Sequence, residues 1–364
     1  MEKRIVFHVD FDYFYAQCEE IRDSKIKGKC VAVCIFSDRG GDSGAIATAN
    51  YNARKFGVKS GIPIMLAKNK LKEEDAVFLP ADFDYYSDMS SKGMEIIEKY
   101  ADIFEYVGRD EAYLDVTDRC NGDWNQAESL CRKLQQMIAE DISLGASFGI
   151  GPTRVAAKMA SEERKPAGIF LVPPGGLQEF FSTQNCRSVP GIGPKAAQLL
   201  GEMGVMTLED AYREGPDYLA DAMGERRAKS LWRILEGESS NDVSALRSRK
   251  SISKENTFSK DVEDVEIVFN MLCDLISRVT MKLKKLEITA RNVEVKIRYR
   301  GFETFSHARS LPISLDDEDT FQRIAAQLLA NVYDTSRPVR LIGFKLGDLE
   351  APPNRQSSLD SFVD

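Results

Sequence analysis

An alternating apolar run, Ile5, Phe7 and Val9, leads into Asp10-Phe11-Asp12, and a second acidic pair, Asp110-Glu111, follows a glycine much further along the chain. The alternation has the period of two that marks a strand, and Asp10 closes it. Residues 104–107 and 112–116 are two further β-prone runs, and Gly108-Arg109-Asp110 between them has the composition of a turn. Pairing of these strands beside the first would bring Asp10, Asp110 and Glu111 to one end of a sheet. Carboxylates gathered there suit hard cations such as Mg²⁺, which take oxygen ligands and keep open positions for phosphates. Acids at strand ends are more often solvated, and neighbours on a strand point to opposite faces. Spacing alone therefore leaves both readings open.

At 364 residues the chain exceeds what one core fills, so about two to four domains are expected. A composition of 43% hydrophobic and 29% charged residues is that of a globular protein. No segment has the roughly 18 unbroken apolar residues of a membrane span. Met1-Glu2-Lys3-Arg4 runs directly into a strand and not into a secretory leader, so an intracellular protein is expected. The 7 cysteines include no C-x-x-C pair, which points to reduced, mostly buried thiols. His8 and His307 are the only histidines, too few for a zinc site or a histidine-activated nucleophile. A net charge of −8 argues against a basic coat for nucleic acid. Residues 245–349 nevertheless hold 18 Lys and Arg against 15 Asp and Glu, so a polyanion would be held in that part of the chain.

Apolar residues recur every three or four positions over 262–286, the pattern of a long amphipathic helix. Strand patterns flank it at 251–258, 292–299 and 304–311; a second helix is expected over 319–333 and a last strand over 340–346. The order β-α-β-β-α-β predicts a split-βαβ, ferredoxin-like sheet with helices on one face and the other face free. Arg291, Lys296, Arg298, Arg300 and Arg309, with Tyr299 and Phe305 among them, are assigned to the free face, where they would track a phosphate backbone or form an ordinary solvated surface. Residues 239–250 are polar and aperiodic and read as a linker. Val189-Pro190-Gly191-Ile192-Gly193-Pro194-Lys195 has two glycines framing a turn that opens a helix. That is the form of a helix-hairpin-helix, which grips DNA phosphates through backbone amides, with a plain αα-turn as the alternative. Residues 224–229 resemble a second, weaker turn of this kind.

Residues 43–58 combine small side chains with a phenol and two cations. Tyr51 and Arg54 lie three apart on an expected helix, where both could donate to a triphosphate and Arg54 could engage two oxygens. Lys165, ending a helical run over 153–164, and Lys158 within it are further phosphate candidates, or plain exposed lysines.

Asp10-Phe11-Asp12-Tyr13-Phe14-Tyr15-Ala16-Gln17, the run from Ala47 to Val58, Asp110-Glu111-Ala112-Tyr113-Leu114-Asp115 and Val189-Pro190-Gly191-Ile192-Gly193 together resemble the Y-family translesion DNA polymerases, most closely the archaeal DinB branch related to bacterial DNA polymerase IV. The resemblance runs in order over residues 4–349. It implies an α+β, multidomain right-hand polymerase: a ferredoxin-like palm (1–19 and 79–168), small fingers (20–78), a helical thumb with the helix-hairpin-helix (169–238), the linker (239–250), a β-α-β-β-α-β little finger (251–349) and a tail (350–364). By the resemblance, Asp10, Asp110 and Glu111 are catalytic and hold two Mg²⁺, or Mn²⁺, with the Phe11 carbonyl. Tyr13, Phe14, Tyr15, Thr48, Tyr51, Arg54 and Lys165 take the nucleotide positions, and Tyr15 is the steric gate against a ribose 2′-hydroxyl. Gly191, Gly193 and Lys195 of the hairpin and Lys296, Arg298 and Arg300 of the basic sheet are the residues expected to take DNA. The chain departs from the family pattern at Gly108-Arg109 and at Gly151-Pro152-Thr153-Arg154, and Arg109 is expected to add a phosphate contact.

The end of the chain looks like a sliding-clamp-binding peptide, with Gln356, Leu359, Phe362 and Val363 as its anchors. The expected protein is a monomer in the cytoplasm, associated with the nucleoid, that binds primer–template DNA, dNTPs and a PCNA-like clamp and no membrane. It would copy damaged templates with low fidelity and low processivity. A catalytically silent, clamp-recruited DNA-binding scaffold is the alternative, and a two-metal cyclase on a palm-like sheet is a third reading.

Overall fold

A computed structural model describes residues 4–238, 242–245 and 249–351. The chain divides into two units, residues 1–35 with 45–247 and residues 36–44 with 248–364. The clamp-binding residues expected at Gln356, Leu359, Phe362 and Val363 lie outside the described residues. Among the described residues no helix is long and apolar enough to cross a membrane.

The first unit begins β1 (Val6–Phe11), α1 (Phe14–Arg22), β2 (Cys30–Phe36), β3 (Gly44–Ala49), α2 (Tyr51–Lys55), α3 (Ile64–Lys70), β4 (Ala76–Pro80) and α4 (Phe83–Glu98). It continues β5 (Ile103–Tyr106), β6 (Glu111–Asp115), α5 (Trp124–Ile142), β7 (Ala146–Gly151), α6 (Arg154–Glu162) and β8 (Ile169–Leu171). β1 lies at the middle of a five-stranded sheet of order β5-β6-β1-β7-β8, antiparallel to both neighbours. β2, β3 and β4 form a separate three-stranded sheet of order β3-β2-β4.

The expected alternation of β1 sorts its side chains to two covered faces. Phe7, Val9 and Phe11 enter the large core with Ile97 of α4 and Leu134 and Ile138 of α5. Gly93 of α4 makes room for the Phe11 ring, since a Cβ there would stand 2.5 Å from its tip. On the other face Val6 packs with Tyr113 and Ala157, under α6. That helix rests almost on the strand backbone: a Cβ on Gly149 would lie 1.9 Å from the Ala157 carbonyl oxygen, and one on Gly151 2.8 Å from the Ala157 nitrogen. Bare glycines on β7 and alanines on α6 thus set the helix height, and with it the height of every side chain the helix carries.

The helical part of the same unit holds α7 (Leu177–Ser182), α8 (Pro194–Glu202), α9 (Leu208–Glu214), α10 (Pro216–Met223) and α11 (Glu225–Leu235) around Phe181, Leu200, Leu208, Leu219 and Leu231. Part of the expected linker belongs to this unit. Val243 is buried beside Val6 and Tyr113, and the Ser244 amide donates to Glu105 over 3.1 Å. A polar, aperiodic segment reads as linker because its single anchoring valine leaves no periodic trace.

The second unit runs β9 (Ser251–Val262), α12 (Val265–Lys285), β10 (Thr289–Tyr299), β11 (Thr304–Leu315), α13 (Glu318–Ala330) and β12 (Val339–Glu350), in the expected β-α-β-β-α-β order. The antiparallel sheet order β11-β10-β12-β9 splits each βαβ pair with a strand of the other. Val293, Val295 and Ile297 pack with Phe344 under Leu272, Ile276 and Phe321 of the two helices.

The expected free face needs correction. Lys296 and Arg298 do share it, but Tyr299 is 1% exposed in the core, its hydroxyl donating to the Val332 carbonyl over 2.6 Å. Strand β10 ends at Tyr299, so Arg300 sits in the turn and not on the face. Phe305 and Arg309 stand opposite the core residues Ile297 and Val293, and residues directly opposite share a face. Arg309 accordingly donates to Gln327 of α13 over 2.7 Å, on the helix side. Arg291 falls at a bulge and pairs with Glu350 at 3.6 Å. The free face is mixed in charge: Lys296 pairs with Glu255 at 2.5 Å and Lys345 with Glu294 at 2.8 Å.

Candidate active site

The register of the sheet brings the acids together. Asp10, at the end of β1, stands directly opposite Glu111, the first residue of β6. Asp110 occupies the turn just before it, and its carbonyl accepts from the Phe11 amide over 2.8 Å. Lys165, in the loop after α6, places Nζ 2.9 Å from Asp10 Oδ1 and 2.6 Å from Glu162. Burial pushes the Asp10 carboxyl up to about 6, against the opposing pull of Lys165. Burial raises Asp110 as well.

Glu111 goes the other way. His8 Nε2 lies 3.2 Å from Glu111 Oε2, and Lys158 of α6 also bonds that carboxylate. The hydrogen bond with His8, then the Lys158 ammonium, hold Glu111 down to about 2. His8 itself is fully buried on β1, its Nδ1 2.8 Å from the Ser161 hydroxyl, and burial lowers it to about 4. The acids therefore meet at one sheet end as expected, each in a different electrostatic setting. Among the described residues no three acidic or imidazole side chains close round a single point; the two ammonium groups hold Asp10 and Glu111.

The turn from β1 into α1 presents the aromatics. Tyr13 adopts the left-handed conformation, φ 37°, and Gln17 fixes the turn by donating to the Asp12 carbonyl over 2.6 Å and to Gly145 over 3.2 Å. The Tyr13 ring stands edge-on to Tyr51 at 5.2 Å, and its hydroxyl, pushed up to about 12 by burial and Glu20, donates to Glu20. The Phe14 side chain lies in the core against Phe11, so only its backbone, at the start of α1 where amides lack helical partners, can face a ligand. Tyr15 stacks on Tyr86 of α4 at 4.6 Å and meets the Phe83 edge at 5.9 Å. Arg109, expected to reach a phosphate, rests against α4: Nε donates to Ser87 over 3.0 Å and the guanidinium lies 5.4 Å from the Phe83 ring.

Tyr51 and Arg54 open α2. Asn50 caps that helix and uses every hydrogen-bonding position it has, accepting from Val31 and Ala53 and donating to Glu20 and Lys29. Arg54 lies 5.0 Å from the Tyr51 ring and donates to the Ala49 carbonyl. Thr48 is half-buried on β3. The Tyr51 hydroxyl donates to Asp12 over 3.1 Å. The sequence does not mark His8, Gln17, Asn50 and Asp12 as site residues. Their signal is polarity within apolar strands and at helix starts, which a surface residue shares.

The hairpin expected around Gly191 is exposed, with Gly191 at φ +96°, Gly193 capping α8 and Lys195 in its first turn. The element before it is a single 3₁₀ turn, Cys186–Ser188, in place of a full helix. Gly224 makes a comparable start to α11.

Comparison with known proteins agrees along nearly the whole chain. Residues 9–162 match the impB/mucB/samB family and residues 249–359 match the C-terminal domain of the same family. A DNA polymerase IV of Nitrosopumilus maritimus is 42% identical over 354 residues, 96% of each chain. A DNA polymerase IV of Methanoculleus marisnigri is 34% identical, covering 99% of this chain and 98% of that one. Among solved structures, a Y-family chimera of the polymerases Dbh and Dpo4 aligns with a TM-score of 0.87 at 32% identity, over 95% of this chain and 99% of the other. DinB from Sulfolobus solfataricus aligns at 0.66 with 31% identity, over 94% and 98%. The family matches on both sides of the chain, the near full-length relatives and the likeness of fold agree, and the chain belongs to the DinB branch of the Y-family DNA polymerases.

Proposed function

We propose that the chain is a template-directed DNA polymerase of the translesion type, extending a primer 3′-hydroxyl at the corner formed by Asp10, Asp110 and Glu111. Membership of the family brings use of a divalent metal, with DNA and deoxynucleoside triphosphates as partners. The observation that supports this corner as the site is the pairing of Asp10 opposite Glu111 with Lys165 on Asp10 and Tyr51 on the neighbouring Asp12.

The donor set suits a hard cation: it is all oxygen, and burial disfavours negative charge on Asp10 and Asp110 unless positive charge is brought to them. Two Mg²⁺ ions, or Mn²⁺ in their place, would be held by these acids and the Phe11 carbonyl, supplying charge that acidifies the 3′-hydroxyl and neutralises pyrophosphate. The 3′-oxygen bonds to the α-phosphorus, the bond from that phosphorus to the bridging oxygen of the pyrophosphate breaks, and the hydroxyl proton passes to solvent. Lys165 and Arg54 bring positive charge to the phosphates, while Tyr13, Tyr51, Thr48 and the Phe14 amide bring hydrogen-bond donors. Tyr15, backed by Tyr86, crowds a ribose 2′-hydroxyl.

Gly191, Gly193 and Lys195 would take DNA phosphates through backbone amides and one ammonium group. Lys296 and Arg298 would do so from the free sheet face and Arg300 from the adjacent turn. The palm, fingers, thumb and little finger keep the bounds that the family resemblance implies, with residues 242–245 of the linker packed on the first unit, and the chain acts as a monomer beside the nucleoid in the cytoplasm. Gln356, Leu359, Phe362 and Val363 would tether it to a sliding clamp, compensating for weak hold on DNA. A silent scaffold would have no use for Lys165 held on Asp10 beside the other acids.

Primer extension on undamaged and abasic templates, with Mg²⁺ and each dNTP separately, tests the assignment. Extension past the abasic site is expected, and absence of any extension by folded protein would sink it. Removing residues 356–364 is expected to abolish stimulation by the clamp and leave unassisted extension unchanged.

A further inference from the structure

Asp12 follows the strand that carries Asp10, and the residue is buried, 1% exposed. Among the described residues no lysine or arginine forms an ion pair with it, so hydrogen-bond donors must satisfy the buried oxygens. Three elements supply them. Oδ1 accepts from the Tyr51 hydroxyl at the start of α2 over 3.1 Å. Oδ2 accepts from the Ala167 amide over 2.7 Å, two residues past Lys165. The Ser147 hydroxyl on β7 lies 3.0 and 2.9 Å from the two oxygens and fixes the plane of the carboxylate.

We propose that Asp12 is a positioning residue for the nucleotide phosphates, setting Tyr51 through one oxygen and the turn that carries Lys165 through the other. The inference rests on the assignment of Tyr51 and Lys165 to the triphosphate. Tyr51 starts the helix of one sheet and Lys165 follows the helix of another, so neither element determines the position of the other. A single carboxylate bonded to both makes their separation a property of one rigid group. The arrangement has a second consequence. A tyrosine hydroxyl carries one proton, and here it is directed at Asp12. A phosphate oxygen is also an acceptor, so it must take that proton from Asp12 when it binds. Burial and the neighbouring Asp12 keep the phenol protonated by raising Tyr51 above its ordinary value. Asp12 therefore places Tyr51 and at the same time competes with the ligand for its proton.

The two effects separate in substitutions. Asp12→Ala removes placement and is expected to raise the KM for dNTP about tenfold, with a smaller change in kcat and none in primer–template affinity. Asp12→Asn keeps an oxygen for Ala167 and turns an amide N–H toward the Tyr51 oxygen, which frees the phenolic proton for the phosphate. Its KM is expected at or below that of the unaltered enzyme. The double variant Asp12→Ala/Tyr51→Phe is expected to lose less than the product of the single losses, because the two residues act on the phosphate in series. Full chains are assayed by single-turnover incorporation over a dNTP series, with thermal melting as the folding check. Tyr51→Phe with an unchanged KM would remove the assignment of Tyr51 to the nucleotide. A raised KM in Tyr51→Phe together with multiplicative losses in the double variant would overturn the role of Asp12 alone. Should Asp12→Ala fail to fold, a tenfold or greater rise in KM for Asp12→Asn would overturn the proposal by itself.

Discussion

Lys165 Nζ and Asp10 Oδ1 stand 2.9 Å apart in a corner where burial disfavours the charge that Asp10 must carry to hold a cation. The ammonium offsets part of that cost. Lys165→Met removes the offset and a phosphate contact together. A loss of about 100-fold in kcat/KM for dNTP is expected, with Lys165→Arg recovering part of it. Single-turnover incorporation at saturating DNA measures both, and wild-type values for Lys165→Met would show that the pair has no part in nucleotide handling.

His8 predicts a pH dependence of stability. Its value falls from 6.5 in the unfolded chain to about 4 in the fold, because burial opposes the charged ring. The folded state binds fewer protons in that interval, so the stability is whole above 6.5 and is lost as pH falls toward 4. Asp10, raised from 3.8 to about 6, contributes with the opposite sign across its own interval. Comparison with a His8→Gln variant isolates the histidine. Between pH 7 and pH 5 the unaltered protein is expected to lose about 2 kcal/mol more than the variant, read from urea midpoints. Parallel curves for the two proteins would contradict it.

Tyr15 is held from behind. Its ring is stacked on Tyr86, and Phe83 closes the edge. Tyr15→Ala is expected to admit ribonucleotides, and Tyr86→Ala to do so more weakly, by letting an intact gate ring tilt away. Competition between each dNTP and its ribonucleotide measures the ratio. Unchanged discrimination in Tyr15→Ala would show that another side chain is the gate.

Arg109 belongs to the same support. Its bond to Ser87 and its position beside Phe83 tie the turn bearing Asp110 to the helix behind Tyr15. Arg109→Ile is therefore expected to leave the salt dependence of primer–template binding unchanged and to relax sugar discrimination. A salt slope reduced by about one unit would instead restore the phosphate contact suggested by the sequence.

Gly149→Ala tests the seam under α6. The added methyl would have to stand 1.9 Å from the Ala157 carbonyl oxygen, so helix and strand must part. A loss of about 3 kcal/mol or more is expected, with incorporation failing before the fold does as Lys158 and Lys165 move. Thermal melting alongside primer extension checks it, and a variant as stable as the parent would mean that α6 slides freely.

Local patterns carried much of this fold into the sequence. The helix around Leu272 and Leu275 and the strands beside it follow from periodicity alone, and the acids at Asp10 and Asp110-Glu111 follow from strand ends. Register across strands does not. Arg309 and Phe305 read as partners of Lys296 until their neighbours on β10 place them on the helix side of the sheet. Asp12 and Asn50 were equally opaque, because a buried polar residue differs from a surface one only in what surrounds it. Val243 shows the same limit for a segment with no pattern at all.

The glycines under α6 also bear on how this enzyme can change over generations. Most cores tolerate exchange of one apolar side chain for another, since neighbouring rotamers take up the difference. Between Gly149 and Ala157 there are no rotamers to adjust. Sequence drift can rework the surfaces that meet DNA or a partner, while this contact admits no gradual revision, and lineages that alter it would have to rebuild the helix and the strand at once.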